Sequence, residues 1–443
     1  MLGRLRGWVA SREEALRGEI PLLPPPPIGR GSIGPDGHRR SLLLLHNNYY
    51  HFLHLAAALR RRGWDALALS IEDPGSVNAS FYHGEDVNLW HPDPDQQAER
   101  AERLAAEIKR RFAMVQFSGD GQMGLSPAEY DQDWRRAALP WRFIELKRAG
   151  VKIGYTCGGC TDGIAQSSFY RWSEQSCDKC TLRGRVDACS DRRNLAWGHK
   201  REMYCDLIAA EMLPALDYCA GPKVVREPLT MAIDAEIWRP DLDVPERHRI
   251  ERKPGEILIF HGVGNFYHPE YSGSRDYKGT RFIKQAVERL QAQGHPVRLI
   301  FIHDLPSREV RFVQAQADIV VDQLNSGRYG ANARECLMLG KAVVGFIKRE
   351  EPAAIEPLAT LAECPIVNAD EATIEDVLRA LVLDPQRRKR LGAASRAFAL
   401  KWHSADALAA RFEAIYDALL AGKPPASALA ADAAPGAAVA VRA

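Results

Sequence analysis

Five of the nine cysteines in this 443-residue chain fall within one short segment, as Cys157, Cys160, Cys177, Cys180 and Cys189. They form two C-x2-C pairs with sixteen residues between them, and a fifth thiol nine positions further on. Each pair can close on one face of a tetrahedral ion, and the spacing matches that of structural zinc sites. Four ligands suffice and five are present, so the spacing leaves open which four bind. A structural zinc that folds a loop over 157–195 is the expectation, because an open catalytic site calls for a histidine or carboxylate. An iron–sulfur cluster is the alternative that the same thiols allow. Cys205, Cys219, Cys336 and Cys364 read as small core residues.

A second group has the make-up of a phosphate site. Gly330 directly precedes a helix expected from Ala331, where unpaired N–H groups can face an anion. Lys278 precedes Gly279 at an expected strand-to-helix junction, and its ammonium can reach a diphosphate. Asp-x-Asp triplets able to hold a divalent ion occur at Asp93/Asp95, Asp131/Asp133 and Asp241/Asp243. None directly follows an apolar strand, so they read as solvated turns. No catalytic divalent metal is expected; Lys278 and helix-end amides take its place. A third group, His46, Asn47, Asn48 and Tyr49, opens a strand-to-helix loop rich in hydrogen-bonding groups. It suits a polar acceptor, and equally suits turn and N-cap duty.

The elements around these residues alternate. Continuous apolar runs such as SLLLL from Ser41 suit strands buried on both faces of a parallel sheet. Helices are expected over 51–62, 96–111 and 141–149, with strands over 64–71, 112–118 and 151–156 between and after them. The pattern restarts with ILIFHG at 257–262 and runs to a last helix over 385–420. This strand–helix–strand succession predicts an α/β fold of two Rossmann-like domains facing across a cleft. The expected divisions are a proline-rich head over 1–40, an N-terminal domain over 41–233 and a C-terminal domain over 234–400. A helix over 401–422 is free to cross back, and an Ala/Pro-rich tail over 423–443 is expected to be disordered.

Composition narrows the class. Hydrophobic residues at 46% and charged residues at 26% suit a globular protein, and the net charge of +2 gives no basic field for nucleic acid. With neither a signal-peptide core nor an apolar run long enough to span a bilayer, the expected compartment is the cytoplasm. Tryptophan and basic residues over 134–148, with Arg60–Arg62 and Lys109–Arg111, could face an anionic inner membrane leaflet; ordinary solvated helices are the other reading.

Three stretches stand out together: VVREPLTMAIDAEIWRP at 224–240, YKGTRFIKQAVERL at 277–290 and DIVVDQLNSGRYGANARECLMLGKAVVG at 318–345. They resemble family-4 glycosyltransferases of GT-B architecture. The resemblance spans roughly 41–420 and is strongest over 224–345. It implies transfer of a sugar from a nucleotide-sugar donor, with retention of anomeric configuration, to a saccharide or lipid-linked acceptor. Lys278 matches the family's pyrophosphate lysine, and Glu335 its glutamate that binds ribose hydroxyls. Gly279, Gly327, Tyr329, Gly330, Ala331 and Asn332 complete the implied donor contacts.

The chain also departs from the pattern. Gly327 stands where the family's first glutamate would fall, with Asp322 and Arg328 nearby to contact sugar or phosphate. The usual arginine before the lysine is absent, with Arg275 a substitute. The N-domain histidine is missing too, and Ser118, Gly119 and Asp120 occupy its loop. Asp120, Arg328 and Asp322 are therefore the catalytic candidates. A sugar-nucleotide epimerase of the same shape and a non-catalytic sugar-nucleotide-binding protein are the rival readings.

Overall fold

A computed structural model describes residues 22–25, 33–46, 49–76, 81–119, 123–126, 141–210, 213–226, 231–264, 276–349 and 358–430. Two parallel sheets organise them. The first contains β1 (Ser41–Leu45), β2 (Asp65–Ser70), β3 (Val87–Asn88), β4 (Met114–Ser118), β5 (Lys152–Thr156), β6 (Leu207–Ala209) and β7 (Val224–Val225). The second contains β8 (Ile257–Gly262), β9 (Val297–Ile302), β10 (Ile319–Val321), β11 (Ala342–Gly345) and β12 (Val367–Asn368). Their orders are β3-β2-β1-β4-β5-β6-β7 and β12-β11-β10-β8-β9, and every pairing is parallel.

The apolar runs become strands because both of their faces have a partner. Leu43 and Leu45 join one core with Val115, Phe117 and Ile153. Leu42 and Leu44 point the other way, into a core with Ala66, Met114 and Leu207. The second sheet divides likewise, Phe260, Val320 and Val343 on one face and Ile259, Val321 and Val344 on the other.

The expected last helix over 385–420 is two helices. One runs Pro385–Trp402, and α13, counted along the described helices from His51–Arg61 as α1, runs Ala405–Leu420. Between them the chain leaves helical geometry to pair with the interdomain link. Ile233 N–H donates to the His403 carbonyl at 2.9 Å, and Ala405 N–H to the Ile233 carbonyl at 2.8 Å. Ser404 then caps α13, its Oγ accepting from Ala407 N–H at 3.2 Å. α13 lies on the first sheet, where Phe412, Ile415 and Tyr416 are fully buried with Leu42 and Leu44. Tyr416 donates to Gln116 Oε1 at 2.7 Å, and Arg40 and His38 hold Asp417. At the other end of the chain, Leu23 is buried in the first domain's core, and the Leu23 N–H donates to Glu107. Beyond α13 a short helix over Ser427–Ala430 follows, and 431–443 lie outside the described residues.

Candidate active site between the two sheets

In each sheet the strand order reverses once, between β1 and β4 and between β8 and β10. Ligands of doubly wound sheets settle beyond the carboxyl ends of the strands at such points. A cavity of about 420 Å³ lies there, lined by Gly262 at the end of β8 and by Lys278, Gly330, Ala331, Asn332 and Glu335. Tyr49 and His51 of the first domain line its opposite wall.

Lys278 ends a 3-10 turn, and Gly279 then takes φ +79° to open the helix Thr280–Ala292. That left-handed backbone is why glycine serves here, since a Cβ would also stand 3.2 Å from Leu324. The turn carries Lys278 Nζ to the switch point, 3.1 Å from the Gly262 carbonyl and 3.2 Å from Asp322 Oδ1. Asp322, just past β10, also accepts from Gly330 N–H at 3.2 Å and Asn332 Nδ2 at 3.4 Å. Burial acts to raise its pKa, but Lys278 and the two donors outweigh it and hold the carboxyl below its usual range. Asp322 thus fixes the lysine and the helix start together.

Glu335 sits one turn into the helix Ala331–Met338 and is 5% exposed. Oε1 accepts from the Tyr50 hydroxyl and Oε2 from Gln314 Nε2, each at 2.9 Å. Burial pushes its pKa up to about 7 against these two hydrogen bonds. Tyr50 belongs to the first domain and is buried against Trp238 and His83. His83 meets Ser307 of the second domain at 2.9 Å. Behind Lys278, buried His261 places Nδ1 2.9 Å from the Val321 carbonyl and Nε2 2.9 Å from Thr280 Oγ1. The carbonyl can only accept, so Nδ1 carries the proton.

Gly327 has φ +73°, and a Cβ there would lie 3.1 Å from Trp172 and 3.3 Å from Lys348. The Trp172 indole thus occupies the space a side chain at this position would need. Arg328 lies over the same indole, 4.8 Å from its centroid, and donates to the Gly327 and Lys348 carbonyls. Ser173 and Ser176 donate to the Asn325 carbonyl, and Lys179 pairs with Glu371. Between insert and second domain lies another cavity of about 450 Å³, lined by Trp172, Arg328 and Ser326. It meets the first cavity at Gly158, Gln323 and Gly330.

Several expected contacts lie elsewhere. The Tyr329 side chain turns into the core, its hydroxyl 3.1 Å from His403 Nε2, and does not line the first cavity. His46 takes φ +65°, which swings its ring inward to within 3.0 Å of the Gly124 carbonyl and against Phe117. Burial lowers its pKa to about 4, which leaves the imidazole neutral. Asn47, Asn48, Asp120 and Arg275 lie outside the described residues. Asp93 is the N-cap of the helix Pro94–Arg111, accepting from Asp95 N–H at 2.9 Å.

The five clustered cysteines divide. Cys157 is buried, with Sγ 3.0 Å from Arg201 and Cys219 nearby. Cys160, Cys177, Cys180 and Cys189 line the second cavity. Among the described residues no three His, Cys, Asp or Glu side chains stand close enough together to hold a metal as they are. The arginines of the basic stretch are paired: Arg60 with Asp86, Arg61 with Asp406 and Arg62 with Glu413. Among the described residues no helix is long and apolar enough to cross a membrane.

No protein-family model matches the sequence, and no curated protein matches it. Among solved structures the chain is similar to sucrose-phosphate synthase from Thermosynechococcus elongatus, with TM-score 0.53 and 11% identity over 87% of this chain and all of that one (100%). It is also similar to a glycosyltransferase from Rickettsia africae, with TM-score 0.47 and 12% identity over 86% of this chain and 98% of that one. The catalytic domain of starch synthase IV from Arabidopsis thaliana gives 0.48 and 9% over 86% and 99%. At such identities the likeness is one of fold. The two parallel sheets with their interleaved helices are the GT-B architecture, two Rossmann-like domains closed on a cleft.

Proposed function

We propose that the chain is a glycosyltransferase that takes a sugar from a nucleotide-sugar donor. One observation carries this reading: Lys278 joins the ends of β8 and β10 at the mouth of the cavity, facing the start of the helix that bears Glu335. A departing diphosphate needs positive charge fixed in place before it leaves. Lys278 supplies an ammonium whose position Asp322 sets, and the first N–H groups of the helix add their partial charge. The base lies against Ile302, Leu305 and Val310. Ribose hydroxyls reach Glu335 in exchange for the Tyr50 hydroxyl. The donor sugar extends through the shared Gly330 edge toward Arg328 and Trp172.

In this reading residues 41–233 receive the acceptor, with Tyr49 and His51 on their side of the cleft, and 234–400 hold the donor. The acceptor is a saccharide or lipid-linked glycan of cell-surface polysaccharide synthesis, and the retaining outcome follows the family resemblance. Trp141, 59% exposed beside Arg148, is the feature on the described surface that favours peripheral contact with a membrane. The closed space in front of Gly327 favours one rival, a protein that binds the donor without transfer.

Thermal unfolding with UDP, GDP, ADP or CMP, on the native chain and on Glu335→Ala, tests the donor site. One nucleotide should stabilise the native chain and not the variant. No shift with any of them removes the reading. Release of free sugar or a glycoside from the matching donor then separates the transferase from the binding protein.

A further inference from the structure

Within the cysteine-rich insert the stretch 178–188 has no buried packing of its own. From residue 178 to residue 188 no side chain is buried, and Val186 is 60% exposed. A segment without apolar burial does not repay the entropy of a fixed path. Yet this stretch turns back on itself through a short series of hydrogen bonds. Cys180 N–H donates to the Cys177 carbonyl at 3.1 Å, and Cys189 N–H to the Arg185 carbonyl at 2.7 Å. Its two ends present thiols to the second cavity, with Cys160 on the facing loop.

We propose that Cys160, Cys177, Cys180 and Cys189 bind one tetrahedral zinc ion, and that Cys157 is not a ligand. The assignment takes the four thiols that line one cavity; as they stand they are not close enough together to hold an ion, so binding has to draw them together. Cys157 is paired with Cys160 by spacing, but its sulfur is turned to the other side of the loop, where it accepts from the buried Arg201. The other four share one cavity, and Asn194 Nδ2 already approaches Cys189 Sγ at 3.7 Å, as an outer donor to a thiolate does. Four thiols release four protons as Zn²⁺ binds, leaving a dianionic centre. Arg183 and Arg185 are paired with Asp178 and Asp187, which leaves Arg193 to offset part of that charge. All-sulfur tetrahedral ligation suits zinc, with no open position for substrate.

The consequence reaches the donor cavity. The same insert carries Trp172, Ser173, Ser176 and Lys179, each in contact with the second domain. A zinc centre at its base fixes the wall on which the Gly327 loop rests. The proposal does not depend on the glycosyltransferase reading, because its readout is metal and not nucleotide.

The full chain, purified without added metal, should carry about one zinc by elemental analysis, and the iron content should be negligible. Cys180→Ser and Cys160→Ser should lose most of it, whereas Cys157→Ser should keep it. Alkylation mapped by mass spectrometry gives a second test on the unaltered sequence. Cys160 and Cys180 should be protected in the metal-bound chain and labelled after chelation. Retention of zinc by Cys160→Ser, equal labelling of Cys160 and Cys180 before and after chelation, or stoichiometric iron with visible absorbance would each overturn the proposal. So would metal-free protein that takes up no zinc on titration.

Discussion

Replacing Glu335 by glutamine should make the protein more stable and leave it unable to hold its donor. The carboxyl is buried, and burial raises its pKa from 4.5 to about 7. In the unfolded chain it ionises at its ordinary value. Between the two values the folded state therefore binds the extra proton, and stability falls as pH rises. Above pH 7 the full difference is lost, roughly 2.5 pKa units at 1.36 kcal/mol each, or on the order of 3 kcal/mol. At pH 5.5 the same arithmetic gives on the order of 1 kcal/mol.

Glutamine keeps the Tyr50 hydrogen bond through its carbonyl. Its amide requires Gln314 to turn over and present Oε1, which gives up the bond from Gln314 Nε2 to Asn332 Oδ1 and takes back part of the gain. Glu335→Gln should thus exceed the native chain by up to about 3 kcal/mol at pH 8, narrowing by roughly 2 kcal/mol at pH 5.5. Urea unfolding at both pH values, followed by intrinsic tryptophan fluorescence, measures this. The nucleotide-induced shift should disappear in the same variant. A variant less stable at pH 8, or a gap that does not narrow on acidification, refutes the electrostatic account. Such a gain in stability at the expense of activity is what a strained functional site gives.

Other perturbations read other parts of the structure. Lys278→Met should weaken nucleotide binding at least about tenfold, some 1.4 kcal/mol, by calorimetric titration with the base found above; unchanged affinity would remove the lysine from the site. Gly327→Ala should cost about 1–2 kcal/mol in thermal unfolding, since an L side chain resists φ +73° and Trp172 blocks the Cβ. Gly327→Glu should cost more and bring no gain in transfer rate, and such a gain would contradict the blocked geometry. Tyr416→Phe should destabilise the first domain by about 1–3 kcal/mol, because it leaves Gln116 Oε1 buried and unpaired. Hydrogen exchange should place that loss in β1 and β4, and a loss confined to the second domain would be evidence against the packing of α13.

The sheets were legible because buried parallel strands write themselves as unbroken apolar runs, as in Leu42–Leu45 and Ile257–Phe260. The positions of Lys278, Gly279, Gly330 and Glu335 were legible because each is set by a local strand-to-helix junction or one helical turn. Contacts between distant segments leave no such mark. Nothing in the sequence near Trp172 tells that it stands against Gly327, and nothing near Glu335 announces Tyr50, which lies one residue past the loop positions singled out. The inward direction of His46 was not legible because it depends on a left-handed backbone that residue type and position do not announce. The break at His403 was hidden because Ser404 is an ordinary helix residue until a second chain segment, at Ile233, offers it a partner.

The pairing of Ile233 with Ser404 also sets an order on biosynthesis. The first sheet is complete in sequence at Val225, yet the helix that covers Leu42, Leu44, Ala66 and Met114 begins at Ala405. At roughly 5–20 residues per second, a ribosome needs on the order of 10–40 s to add the intervening residues. During that interval only the helix His51–Arg61, through Phe52, Leu55 and Leu59, covers that face, and the part that Phe412, Ile415 and Tyr416 fill stays open. The second domain, complete by then, is made while the first waits, so the nascent chain is the form of this protein most in need of a chaperone.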